Sequence, residues 1–179
     1  MSGHSHWAGI KHKKGTTDQK RGLVFSKLAA AITAAVGKEP NPDFNPRLRT
    51  AVQKAKEAQV PVDNIARAIK RATESPESME ELLFEAYGPG GVAVLIEVVT
   101  DNRNRSVSEV KKVIGDHNGK WADPGSVQWA FEQLPLGGDE SWKAKFPQPI
   151  SEEDGAALAE LVEALDDRAD IQRVYTNAG

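Results

Sequence analysis

The chain has 179 residues, 39% of them hydrophobic and 27% charged, with no cysteine and a formal net charge of −3. That length holds one or two ordinary domains with a sizeable core, and the lack of cysteine excludes disulfides, thiolate metal sites and thiol catalysis. The small net charge hides a division: residues 1–72 carry 14 Lys+Arg against 5 Asp+Glu, a net of +9, while residues 73–179 carry 9 against 21, a net of −12. A cationic half on an acidic chain can direct a polyanion to one side.

Residues 1–15 are polar and punctuated by glycine, as in an arm. Three of the four histidines lie in MSGHSHWAGIKHKK, with Trp7 and three lysines. Residues 17–36 read as a helix, with Val24, Leu28, Ala31 and Ala35 at helical spacing and Phe25 and Ile32 widening the stripe. Thr17 would cap it and Gly37 would stop it. After a proline-rich turn, Asn45 caps a second helix with Pro46 at its first position. Leu48, Val52 and Ala55 form its apolar edge. Pro61 begins a third helix to about Ala72, with Ile65 and Ile69 inward and Arg67, Lys70 and Arg71 outward.

The acidic linker ESPESME follows, and the period changes. LLFEAYGPGGVAVLIEVVTDN predicts two strands around Gly88–Gly91, where proline and three glycines break any helix. Val92–Val99 is almost continuously apolar, as in a central strand. Asn102 or Asn104 caps a helix with Val107, Val110 and Ile114 on one side, ended by His117-Asn118-Gly119. Ser126–Gln133 alternates, which predicts a strand with Val127, Trp129 and Phe131 on one side. Residues 134–149 look irregular. Ser151 with Asp154 opens a last helix burying Leu158, Leu161, Val162 and Leu165, and Ile171–Tyr175 is a final strand. The predicted fold is α+β: an N-terminal arm and three-helix domain over residues 1–73, then a β-β-α-β-α-β sandwich over 79–179 with helices on one face of a mixed sheet.

No catalytic motif is present: there is no GxSxG, no P-loop and no HExxH. GPGG is a strand connection, without the strand-to-helix setting of a phosphate loop. Tyr87, Gly88, Pro89, Gly90 and Gly91 are read as a hairpin or interaction loop. His4, His6 and His12 lack the further ligands of a zinc site. A free amine at Ser2 with His4 would offer copper(II) or nickel(II) a square plane, but no metal and no cofactor is expected. Nucleic-acid binding is better founded. Lys11, Lys13, Lys14, Lys20, Arg21 and Lys27 run through the arm and first helix, and such cations displace counterions from phosphates. Trp7 either stacks on an unpaired base or anchors the arm. His12 adds a hydrogen-bonding group, and Arg47 and Arg49 extend the charge along the second helix. Arg103 and Arg105 lie at a strand-to-helix corner, where they either meet phosphate or hold the turn.

GHSHWAGIKHKK, DQKRGLVFSKL, NPRLRTAVQKAK, YGPGGVAVLIEVVTDNRNR and GSVQWAFE, in that order, resemble the YebC family, which also includes a mitochondrial translational activator. The resemblance covers residues 3–133, and the last thirty residues resemble the family's C-terminal helix and strand. It implies a non-enzymatic regulator of gene expression, with the arm carrying nucleic-acid contacts on Lys11, Lys13, Lys14, Lys20 and Arg21. DNA-binding transcription control and ribosome-associated translation control, including of proline-rich stretches, both follow from it, so DNA or ribosomal RNA is the expected partner. A protein-interaction adaptor is the alternative from another class. Two departures stand out: His6 occupies a position where the family usually has lysine, and Leu134–Pro149 stands where the family usually inserts a further α+β domain. No apolar run reaches the roughly 18 residues of a membrane span, no secretory signal is read near Met1, and a cytoplasmic location is expected.

Overall fold

The computed structural model describes residues 18–75 and 79–179. The arm and the proposed Thr17 cap lie outside those residues. Three helices come first: α1 (Asp18–Val36), α2 (Pro46–Glu57) and α3 (Val62–Glu74). Gly37 ends α1 at φ +51, a left-handed conformation that costs glycine little. Asn45 then serves both neighbouring helices. Its side-chain oxygen accepts from the Leu48 N–H at 3.1 Å, capping α2, and its amide nitrogen donates to the carbonyls of Ala35, Val36 and Glu39 at the end of α1. One side chain thus satisfies backbone groups that each helix end leaves unpaired.

Ile32, Ala35, Val36, Leu48, Ala55 and Ile65 are buried at the centre of this unit, where α1 packs on both other helices. Val24, expected on the inward stripe, is instead 44% exposed. Phe25 and Leu28 take the inward positions of the first turns.

The second half contains β1 (Glu80–Tyr87), β2 (Ala93–Thr100), α4 (Arg103–Asp116), β3 (Lys120–Ala122), β4 (Phe131–Gln133), β5 (Trp142–Ala144), α5 (Glu152–Asp166) and β6 (Ile171–Thr176). The main sheet has the order β3-β1-β2-β6. Every strand pairing in it is antiparallel, which corrects the expected mixed sheet. The two hairpin strands occupy the centre, and each returning strand settles beside the one that runs opposite to it. β6 pairs with β2 from Val94↔Thr176 to Val98↔Ile171, so the sheet closes as the retained last helix and strand predicted.

β2 is buried on both faces, as its continuous apolar run requires. On one face Phe84, Val94 and Ile96 pack with Val110 and Ile114 of α4 and with Leu158, Leu161 and Leu165 of α5. On the other, Leu95 and Tyr175 pack with Val127 and Ala130 from the turn before β4 and with Phe131 and Trp142 from the β4–β5 hairpin. The helical unit joins the structure beside that hairpin, with α1 against β2 and β6. Lys27 donates to the Asp166 carbonyl, Gln172 donates to the Lys27 carbonyl at 3.1 Å, and Lys54 donates to the Gly138 carbonyl at 2.8 Å.

Two expectations for residues 120–149 change. The strand expected over Ser126–Gln133 is a 3₁₀ turn at Gln128–Ala130 followed by three strand residues. Val127 and Phe131 are buried as expected, but the turn rotates Trp129 outward to 65% exposure and places Ala130 inside. The edge strand of the main sheet is instead Lys120–Ala122. The stretch read as irregular contains β5, which pairs with β4 from Phe131↔Ala144 to Gln133↔Trp142.

Candidate nucleic-acid interface

The helical unit carries its cations on the outside, but they are not equivalent. Trp7, Lys11, His12, Lys13 and Lys14 lie outside the described residues. Lys20 is half-buried and Arg21 exposed, both in the first turn of α1. Arg21 borders a groove of about 360 Å³ with Val24, Phe25, Ala58 and Gln59. Lys27 is turned toward α5 by its bond to the Asp166 carbonyl. Arg47 forms an ion pair with Glu81 that ties α2 to β1, and the carboxylate holds its guanidinium further into the charged state. Arg49 donates to the carbonyls of Pro42 and Asp43 and braces the turn before α2. These last three are held by the fold itself.

Among the described residues, no ion pair involves Arg21, Lys56, Arg67 or Arg71. Arg67 and Arg71 lie on one exposed face of α3 at i,i+4 spacing. They were visible in sequence as outward residues. Where they lie relative to the second half is a tertiary fact that the sequence does not carry.

Arg71 lies within electrostatic reach of the strand-to-helix corner after β2. Asn102 caps α4, its side chain accepting from the Arg105 N–H at 3.1 Å; Asn104 lies inside the helix. Arg105 reaches back to Asp101 at 2.7 Å and across to Asp170 at 3.1 Å. Thr100 and the fully buried Ser106 hydroxyl complete the cluster, with Ser106 donating to Asp170. The hydrogen bond from Arg105 holds the Asp101 carboxyl below its ordinary range, and the charge of Arg71 on α3 adds to the effect. Arg105 is committed to holding the corner, whereas Arg103 is exposed at the first position of α4.

The GPGG loop is bound into the fold. Gly88 and Pro89 are buried, whereas Tyr87, Gly90 and Gly91 are exposed. A Cβ on Gly88 would lie 2.9 Å from Leu158 Cδ1. Gly90 adopts φ +75 beside Asp154 and Ile150, and its carbonyl accepts from Gln148 at 2.7 Å. Among the described residues, no group of three or more His, Asp or Glu side chains is placed to hold a metal ion, and no helix is long and apolar enough to cross a membrane.

Two family models match in succession, the TACO1/YebC N-terminal domain over residues 5–75 and the TACO1/YebC second and third domain over 79–136. The chain belongs to the TACO1/YebC family. A probable transcriptional regulatory protein of Koribacter versatilis is 53% identical over 133 residues, 73% of this chain. The match takes in only 54% of that relative, about half its length. Another probable transcriptional regulatory protein, from Solibacter usitatus, is 36% identical over 235 aligned positions, 99% of this chain and 95% of that one. With 179 residues here, that TACO1/YebC relative carries residues that have no counterpart in this chain. The fold is also that of a conserved hypothetical protein from Aquifex aeolicus seen in a crystal structure, with a TM-score of 0.86, 34% identity, and coverage of 97% of this chain and 96% of that one.

Proposed function

We propose that this chain is a nucleic-acid-binding regulator of gene expression and that its helical unit supplies the main phosphate contact. The exposed set Arg21, Lys56, Arg67 and Arg71 carries this reading, because none of the four is in an ion pair among the described residues. Such side chains replace counterions on a phosphate backbone and give affinity without reading sequence. Arg103, exposed at the start of α4, is added to the set, together with Lys11, Lys13 and Lys14 on the basis of sequence alone. The acidic second half repels the backbone elsewhere and orients it. The names of the relatives, probable transcriptional regulatory proteins, support the regulatory part of the reading. We place the extra residues of longer relatives where this chain has Leu134–Pro149.

Crosslinking in cells, followed by sequencing of the bound nucleic acid, tests the proposal. Enrichment of promoter DNA assigns the chain to transcription, and enrichment of ribosomal RNA assigns it to translation. Recovery of no nucleic acid above background, with protein partners crosslinked through the second half instead, would replace the proposal with an adaptor role.

A further inference from the structure

Outside the helical unit, the most unusual surface is aromatic. Trp129 is 65% exposed, Phe146 49% and Tyr87 38%, and they lie together. The Trp129 and Phe146 rings are 5.7 Å apart between centroids, inclined by 42°. Trp129 Nε1–H donates to the Ser126 carbonyl at 2.8 Å, and the Tyr87 hydroxyl reaches the same oxygen at 3.5 Å. The indole's polar group is thereby satisfied within the protein, leaving the apolar ring faces for a ligand.

The backbone beneath is held from several sides. The buried Glu85 carboxylate accepts from the N–H groups of Gly125, Val127 and Gln128. Lys145 and Phe146 both donate to the Ala130 carbonyl, and the Asn177 amide donates to the Phe146 carbonyl at 2.8 Å. A large aromatic fixed in an outward position loses little freedom on binding, which favours recognition.

Cations flank the rings. Lys145 Nζ stands 5.5 Å from the Phe146 centroid, and Lys120 is the cross-strand partner of Tyr87. No ion pair among the described residues involves either lysine. Flat aromatic faces interleaved with cations match an unpaired nucleobase and its phosphate.

We infer that Trp129, Phe146 and Tyr87 form a stacking platform for unpaired bases of a single-stranded nucleic acid, with Lys120 and Lys145 on its backbone. The inference rests on the nucleic-acid reading and adds a second, strand-selective contact on the opposite half of the chain.

The test compares wild type, Trp129→Ala, Phe146→Ala and Arg67→Glu/Arg71→Glu full-length chains, each checked for folding by circular dichroism. Affinity is measured by fluorescence anisotropy for an unstructured single-stranded RNA and a duplex of equal length, across salt. Trp129→Ala should lose about 5- to 100-fold on the single strand, with little change on the duplex and an unchanged salt slope. The arginine reversal should weaken both ligands and flatten the slope. Equal losses on duplex and single strand, or no loss with Trp129→Ala, would overturn the platform while leaving the phosphate reading intact. A wild type whose single-strand binding ignores salt but depends on Trp129 would keep the aromatic stack and overturn both the Lys120 and Lys145 contacts and the phosphate reading. A wild type that binds neither ligand would overturn both. Unchanged binding accompanied by altered self-association of Trp129→Ala would assign the surface to protein contact and overturn the inference.

Discussion

The carboxylate of Glu85 accepts a hydrogen bond from the Val127 N–H at 2.7 Å across the 42 residues that separate them. The same side chain accepts from Gly125 and Gln128, is 3% exposed, and has no cation in an ion pair with it among the described residues. Three backbone donors thus compensate a buried charge. Glu85→Gln would turn an amide N–H₂ toward one or more of those donors. It should cost roughly 2–3 kcal/mol of unfolding free energy, read by urea denaturation with the slope unchanged. A loss under about 0.5 kcal/mol, the scale of an ordinary surface change, would show that the loop holds without it.

Asn45 makes a prediction of a different kind, because its two ends do separate tasks. Asn45→Ala should lose about 2–3 kcal/mol through the missing N-cap and the lost donor to the carbonyls of Ala35 and Glu39, while Val36 keeps the Glu39 N–H. Asn45→Asp keeps the acceptor for Leu48 but sets a carboxylate against those carbonyls, so it should also destabilise. Full stability of the aspartate variant in a thermal melt would mean that only the α2 cap matters.

At the corner after β2, stability should depend on pH. Asp101 is held below its ordinary range, first by the Arg105 hydrogen bond. A depressed carboxylate contributes stability that is present above its unfolded pKa of about 3.9 and is lost as pH falls through the lower folded value. The pair is well exposed, so the contribution should be only a few tenths of a kcal/mol. Asp101→Asn should shrink the stability difference between pH 7 and pH 3 by that amount. An unchanged difference would show that Asp170 alone holds Arg105.

Gly90 tests whether the GPGG loop is part of the fold. At φ +75, with Asp154 and Ile150 3.2 Å from a built Cβ, Gly90→Ala should destabilise by about 1–2 kcal/mol. Its affinity for nucleic acid should match wild type at a temperature where both are folded. A selective loss of affinity without loss of stability would make the loop a contact in its own right.

Much of the architecture was legible because strong local signals agreed with it. Asn45-Pro46, the Gly88–Gly91 break, Asn102, and Ser151 with Asp154 each mark an element boundary that the structure keeps. The misreadings over residues 120–149 share one cause, tertiary contact. Alternation over Ser126–Gln133 is overridden where Glu85, far away in sequence, accepts from the N–H groups of Gly125, Val127 and Gln128, and Trp129 is left outside. Lys120–Ala122 and Trp142–Ala144 are three residues each, too short to show a period, and exist only because a partner strand is adjacent. The candidate contact was legible as charge but not as geometry. Sequence could not show that Arg47, Arg49 and Arg105 are held by partners in the fold, nor that Arg71 comes within electrostatic reach of Asp101.

The most direct test of a phosphate contact on the helical unit is the salt dependence of binding for wild type and Arg67→Glu/Arg71→Glu. Affinity for a short duplex is measured between roughly 50 and 200 mM salt, where each phosphate contact contributes a slope of about 0.9 in log–log form. Wild type should show a steep slope, and the double reversal should lower the affinity and reduce the slope by at least about one contact. Equal slopes and equal affinities for the two proteins, both still folded, would contradict the assignment of α3 to the interface.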